Sequence, residues 1–348
     1  MSSYSRCLFF DEDLPLKNDE PFTVEQSEVV LDTSQHLGNN KAVFRKTDVT
    51  YTCTWIKGSN FTPSKPTIII PIKDNKYLID ITLANFAVND VLDLCNVVVV
   101  DDRSTEDVRT SATSNNLSYL RVDNDKGFNF SMLNNIAAKI CSTLGNKQIL
   151  LWNSDLWVPD KEMLVAFIEL HNSHNACVSG AKLLYPPQSM SLNDEVDSAN
   201  IIANFPHMTD GRWRETVQFG GDVWVRVPKG HVAIHPSHYR RFTSGTDARV
   251  NCNRGSNFVT GALQMWDLDK YISLGGLNPS LAKNYQDVDI CLRAVATGES
   301  CYYFGKDIHF YHDESPSLVK EGKNDSQMFS DHVLFGKIWN ATIHTLVF

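Results

Sequence analysis

The chain has 348 residues, 42% of them hydrophobic and 21% charged, with a formal net charge of −9. That composition suits one large α/β core or two smaller ones, and its acidic balance argues against nucleic acid as a partner, since phosphates need a basic stripe. No stretch reaches the roughly 18 apolar residues of a membrane span, and eight scattered cysteines without a C-x-x-C pair argue against a zinc ribbon or a disulfide scaffold.

Met1–Cys7 has no apolar core of signal-peptide length, so the expected location is cytoplasmic, without stable membrane insertion. Residues 1–62 are polar and lack a long helical period. Ala42-Val-Phe-Arg45 and Val49–Trp55 alternate, which predicts two strands, arranged as a hairpin, in a small β-rich appendage. Thr62-Pro-Ser-Lys-Pro66 punctuates the chain.

From Thr67 onward, short apolar runs alternate with helical segments. Strands are predicted at Thr67–Ile72, Asn96–Val100, Tyr119–Val122 and Gln148–Trp152. Leu78, Ile81 and Val88 mark one helix. Leu133, Ile136, Ala137, Ile140, Cys141 and Leu144 mark a second, closed by Gly145. The pattern is α/β, a mainly parallel twisted sheet flanked by helices. Such sheets bind ligands beyond the carboxyl ends of their strands, so the residues just after each apolar run are the candidates. The His-, Pro-, Asn- and Arg-rich stretch at 185–257 reads as an active-site wall or lid. A helix around Asp325–Trp339 closes the chain.

Val97–Val100 empties into Asp101-Asp-Arg-Ser-Thr105, where two carboxylates could meet a base or ribose or simply shape a turn. Gln148–Trp152 repeats the design with Asp155, a hard oxygen ligand for a divalent cation whose shell a diphosphate could complete. Asp287 and Asp289 occupy the first turn of a helix with apolar face Val288, Cys291, Leu292 and Val295, stopped by Gly298. The macrodipole favours both carboxylates there. Asp289 reads as a partner of Arg293 at i+4, whereas Asp287 can face a cleft as a general base. His309-Phe-Tyr-His312 follows an aromatic strand, Cys301–Phe304. His231, His235 and His238 fit no clean zinc spacing, and most histidines here read as structural.

Taken in order, these pieces resemble the family 2 glycosyltransferases of GT-A fold, particularly the rhamnosyltransferase-like members that build bacterial surface polysaccharides. The resemblance runs from about Thr67 to Ser315. Ile69-Ile-Pro71, Val100–Thr105, Gly127-Phe-Asn-Phe-Ser-Met-Leu-Asn-Asn135 and Trp152-Asn-Ser-Asp-Leu-Trp-Val158 carry its first half. Gly180–Pro186, Gln218-Phe-Gly220, Val259-Thr-Gly-Ala262, Leu274–Asn278, Gln286–Arg293 and His312-Asp-Glu-Ser315 carry its second.

By position, the resemblance implies a nucleotide site at Pro71, Asp101, Asp102, Lys126, Asn134 and Ser154. It implies metal ligands Asp155 and His312 for Mn²⁺ or Mg²⁺, and a catalytic base Asp287. Thr260, Gly261, Ala262 and Gln286 would line the donor sugar and acceptor. The implied enzyme inverts the anomeric centre, taking a hexosyl or deoxyhexosyl group from a UDP-sugar (dTDP- or GDP-sugars being alternatives) to a hydroxyl, first of all on a glycan. The implied domains are the appendage 1–62, a catalytic domain 63–315 (nucleotide half 63–158, acceptor half 159–315) and a helical extension 316–348.

Two positions depart from the family pattern. Asn153-Ser-Asp155 offers one carboxylate at the DxD position, and Gln286-Asp287 replaces a Glu-Asp pair. Asp222–Asn257 matches nothing in the family. The competing readings are a nucleobase, protein or lipid-linked acceptor, and a non-catalytic nucleotide-sugar-binding protein. A nicotinamide-dependent oxidoreductase is disfavoured, because Pro71-Ile-Lys-Asp-Asn75, not G-x-G-x-x-G, follows the first strand.

Overall fold

The computed structural model describes residues 7, 10, 13–31, 43–187, 213–228, 230–313 and 326–348. The chain begins with β1 (Pro21–Leu31) and β2 (Phe44–Ile56). There follow β3 (Thr67–Ile72), α1 (Lys76–Val88), α2 (Val91–Leu94), β4 (Asn96–Asp101), α3 (Val108–Thr113), β5 (Ser118–Asp123), α4 (Phe130–Thr143) and β6 (Gln148–Trp152). Next come β7 (Leu156–Trp157), α5 (Lys161–Ser173), β8 (Val178–Ala181), β9 (Leu183–Leu184), β10 (Val217–Phe219), β11 (Asp222–Arg226), β12 (Ile234–His238) and β13 (Asn253–Gly255). The last elements are β14 (Leu263–Asp267), α6 (Leu268–Ser273), α7 (Gln286–Ala296), β15 (Cys301–Phe304), β16 (Phe310–His312), α8 (Ser326–Trp339) and α9 (Ile343–Val347).

Ten strands make one sheet in the order β1-β2-β5-β4-β3-β6-β14-β8-β15-β13. Its centre, β5-β4-β3-β6, is wholly parallel. Every residue of β3 and β4 is buried, which explains their unbroken Ile and Val runs: helices cover both faces of a parallel sheet. β14 enters between β6 and β8 and runs antiparallel to both. Pro71 lies in a central strand, where a missing N–H should cost a ladder bond. The pairing of β3 with β6 ends at Ile69↔Leu151, so Pro71 faces β6 where no ladder remains.

Two expectations at the N-terminal end change. Phe44–Ile56 is one continuous strand, where two hairpin strands were predicted, and its antiparallel partner is Pro21–Leu31. β2 also pairs with β5 through Thr52↔Asp123 to Ile56↔Tyr119, so these strands prolong the main sheet. In α1 the buried face is Leu78, Ile79, Thr82, Leu83 and Phe86. Ile81, expected on that face, is only half-buried, and Val88 is 83% exposed, because two residues past Phe86 it points to about the opposite side of the helix.

The other predicted elements stand where expected. α4 ends before Gly145, whose φ of 88° is cheap only for glycine. Asp289 and Arg293 do pair, at 2.9 Å, but both are buried. Trp339 of α8 donates to the other Asp289 oxygen at 2.9 Å, which ties the last long helix to α7. Of the predicted wall at 185–257, residues 188–212 and 229 lie outside those described; the others include β10 to β13. Arg212, Glu314, Ser315 and Asp325 also fall outside.

Candidate active site

Four backbone segments reach one edge of the sheet. β3, β4 and β6 end there, and β14, running the opposite way, begins there: Asn153 N–H donates to the Ala262 carbonyl at 3.0 Å. Adjacent strands are about 4.8 Å apart, so the end of β4 lies about 10 Å from that of β6, two strands away. The candidates on these segments therefore share one edge within the span of a small ligand.

Asp155 sits in the turn after β6. Trp152 Nε1 donates across the turn to the Leu156 carbonyl at 2.8 Å, and Thr82 of α1 donates to the Ser154 carbonyl at 2.6 Å. Asn85 takes Val158 N–H at 2.9 Å and donates back to its carbonyl at 3.0 Å. β16 pairs with β7 in the register His312↔Leu156, which brings the imidazole beside the turn. His312 Nε2 stands 3.4 Å from Asp155 Oδ1 and 3.4 Å from Asn153 Nδ2. Both residues are buried, Asp155 at 2% and His312 at 6% exposure. Two ligands of one small cation, each about 2.1 Å from it, cannot be more than about 4.2 Å apart, and this pair satisfies that limit. Among the described residues no three His, Cys, Asp or Glu side chains gather as a metal cage. Of the described residues in that set, a cation here would draw these two, with water or a bound phosphate as further ligands.

Asp287 projects from the first turn of α7. Its Oδ2 accepts Gly261 N–H at 2.7 Å and its Oδ1 accepts Val288 N–H at 2.8 Å. A Cβ on residue 261 would lie 3.1 Å from the Asp287 Cβ, so glycine is what lets the two segments touch. Asp287 keeps partial exposure at the edge. Burial raises its proton affinity above the usual carboxylate range, and the N–H donors of Gly261, Val288 and Asp287 itself partly offset that. Thr260–Ala262 thus touch both the Asp155 turn and Asp287.

The two carboxylates after β4 differ. Asp101 accepts from Tyr119 at 2.5 Å, from Ser104 N–H at 2.8 Å and from Arg121 at 3.3 Å, so it is engaged in its own loop. Asp102 is fully buried. Its Oδ1 accepts from Asn124 at 3.3 Å, and its Oδ2 has no hydrogen-bond partner, with the Lys73 ammonium 3.8 Å away. Burial raises its proton affinity, against the pull of Arg103 and Lys73. Asn134 Oδ1 and Gln286 Oε1 are likewise buried without a partner. Buried acceptors of this kind are rare unless a ligand or water serves them. Lys126 is exposed; its N–H is held by Asn124 and its ammonium lies 3.5 Å from Asp125. Lys73, Asn124, Thr82 and Asn85 carried no signal in the sequence, since each acts through a contact made only by folding.

No protein-family profile matches the chain, and no curated protein sequence does. Solved structures do. GalNAc-T7 in complex with UDP, GalNAc and Mn²⁺ superposes with a TM-score of 0.50 at 10% identity, over 72% of this chain and 44% of that one. The fold is of the GT-A glycosyltransferase type. At that identity the likeness is one of fold alone, and the chain spans less than half the length of this relative. The mannosyltransferase PcManGT from Pyrobaculum calidifontis, solved with GDP-Man and Mn²⁺, gives 0.43 at 14% identity over 81% of this chain and 71% of its own. Residues 1–349 of TarS from S. aureus, solved with UDP-GlcNAc, give 0.44 at 15% over 71% and 58%.

Proposed function

We propose that this chain is a divalent-metal-dependent glycosyltransferase that moves a sugar from a nucleoside diphosphate to an acceptor hydroxyl with inversion. The observation that carries the reading is the Thr260–Ala262 segment, which joins a carboxylate poised as a base (Asp287) to a carboxylate–imidazole pair suited to a cation (Asp155 and His312). GalNAc-T7, which shares the fold, was solved with UDP and Mn²⁺. UDP-sugars are accordingly the first donors to test, and dTDP- and GDP-sugars follow.

In the proposed reaction the acceptor O–H gives its proton to the Asp287 carboxylate as its oxygen bonds to the anomeric carbon. The bond from that carbon to the diphosphate oxygen breaks, and the nucleoside diphosphate leaves with the electron pair. The raised proton affinity of Asp287 suits a group that must hold that proton. Asp155 and His312 would hold Mn²⁺ or Mg²⁺, which when bound neutralises charge on the leaving diphosphate. Asp102, Asn134 and Gln286 offer acceptors to donor N–H and O–H groups. Pro71, Asp101, Lys126 and Ser154 complete the nucleotide side, while Thr260, Gly261 and Ala262 line the sugar.

The decisive experiment combines a panel of nucleotide sugars with Mn²⁺ or Mg²⁺ and assays of transfer and of slow donor hydrolysis. Asp287→Asn should lower turnover by about 10²–10⁴-fold with donor affinity kept. Near wild-type turnover in that variant would overturn the base assignment, and a retained anomeric configuration in the product would overturn inversion.

A further inference from the structure

Tyr285, immediately before the base-bearing helix, has a φ of 62°, the left-handed region that a bulky side chain seldom occupies. Its carbonyl accepts Asp289 N–H at 2.9 Å, the first bond of α7 after the turn that carries Asp287. The phenol oxygen lies 2.9 Å from His235 Nε2 of β12 and 2.7 Å from His332 Nδ1 of α8. Phe335, one turn on from His332, stacks on the phenol ring with centroids 4.7 Å apart at 20°. Asp331 beside it accepts the N–H groups of Lys283 at 2.8 Å and Asn284 at 2.9 Å. Two separate elements, β12 and α8, therefore meet on the residue that sets the first turn of α7.

We infer that Tyr285 is a positioning residue for Asp287, clamped by His235 and His332, and that the clamp is tight only while the His332 imidazole is uncharged. This rests on the assignment of Asp287 as the base. A phenol has one proton: it donates to one imidazole nitrogen and accepts from the other. With His332 protonated, its Nδ1 can only donate and no longer accepts the phenol proton, and the cation stands with its ring centre 6.2 Å from that of His235. His231, 6.1 Å from His332, adds a third ring on the same side. The other titratable groups facing the phenol are Asp331 of α8 and Asp287 itself. Burial and the two neighbouring histidines lower the proton affinity of His332. The sign is then fixed: because the proton affinity of His332 is lowered, the clamp stays formed at the ordinary imidazole value of about 6.5 and weakens only as pH falls below it.

The test compares wild type with Tyr285→Phe and with the double variant His235→Gln/His332→Asn, whose amides keep a neutral hydrogen-bonding atom at each position. At pH 8, Tyr285→Phe should lose roughly tenfold to a hundredfold in kcat with donor KM changed less than about twofold. The double variant should retain most of its turnover at pH 8 and show a shallower acid limb than wild type below about pH 6.5, keeping only the part that protonation of Asp287 itself contributes. An unchanged limb in the double variant, or unchanged kcat in Tyr285→Phe, overturns the inference. Hydrogen exchange of the Asp289 amide, corrected for intrinsic rate, reads the clamp without catalysis. Its protection should fall in wild type as pH is lowered below about 6.5 and stay level in the double variant, and equal behaviour of the two overturns the inference. If Asp287→Asn remains active, the base assignment fails and the exchange experiment alone decides whether the clamp exists.

Discussion

Asp287 and Asp155 are both carboxylates at the end of an element, yet their surroundings give them different work. Asp287 is anchored by two backbone N–H groups at 2.7 and 2.8 Å, which fix its orientation without supplying a positive charge. Asp155 faces an imidazole at 3.4 Å. Replacing Asp155 by Ala should weaken donor binding and flatten the Mn²⁺ dependence together; a metal titration superposable on wild type would remove it from the ligand set. The contact at Gly261 is equally specific. Gly261→Ala puts a methyl group 3.1 Å from the Asp287 Cβ, so kcat should fall with little change in melting temperature. A variant of unchanged kcat would show that this contact does not set the proposed base.

At the scale of elements, α7 is fixed at both ends. Tyr285 is clamped at its start. Toward its end Arg293 pairs with Asp289 and donates to the carbonyls of Leu274 at 2.5 Å and Gly276 at 2.7 Å. A buried pair of this kind is costly to break from one side, so Arg293→Met should destabilise by about 3–5 kcal/mol, readable in denaturant unfolding. A loss below about 1 kcal/mol would mean that the pair behaves as a solvated one. The helix, its boundaries and the i+4 pair were all legible in the sequence, because 3.6-residue periodicity and charge spacing are local. The burial of that pair was not, since it depends on Trp339, fifty residues away. The same distinction separates Val97–Asp101, read directly from an apolar run, from Tyr285, whose weight comes from His235 and His332 on two other elements. Val88 was misplaced for a related reason: three apolar residues fit more than one stripe until the sheet chooses a face.

For the whole molecule, the first two strands bring a buried acid into the frame. Glu28 of β1 accepts from Tyr51 of β2 and, at 3.2 Å, from Asn129, the N-cap of α4, which also donates to the Pro279 carbonyl at 2.9 Å. Burial pushes the Glu28 carboxyl up from 4.5 to about 7. A folded-state value above the unfolded one means that the native chain holds a proton the unfolded chain has released. Glu28 should therefore cost stability as pH rises from about 4.5 to 7, by roughly 3 kcal/mol, and no more above that. Glu28→Gln should raise the melting temperature at pH 8 and remove this part of the pH dependence. A parallel dependence in the variant would contradict it. The alternation of β2 was visible in the sequence, but its partner Pro21–Leu31 was not, because register across a sheet is set by packing that no single strand records.

The antiparallel strand β14 has a consequence for how the protein is made. β6 leaves the ribosome ending at Trp152, and the strand that covers its free side ends its pairing only at Asp267. At about 5–20 residues per second, the apolar edge Ile149–Trp152 stays bare for several seconds or longer while more than a hundred further residues are synthesised. A nascent chain stopped after α5 should therefore self-associate through that edge, whereas one extended past Asp267 should not. The segment that completes the candidate active site is also the one that ends this exposure, so competence for ligand and safety from aggregation arrive in the same stretch of translation.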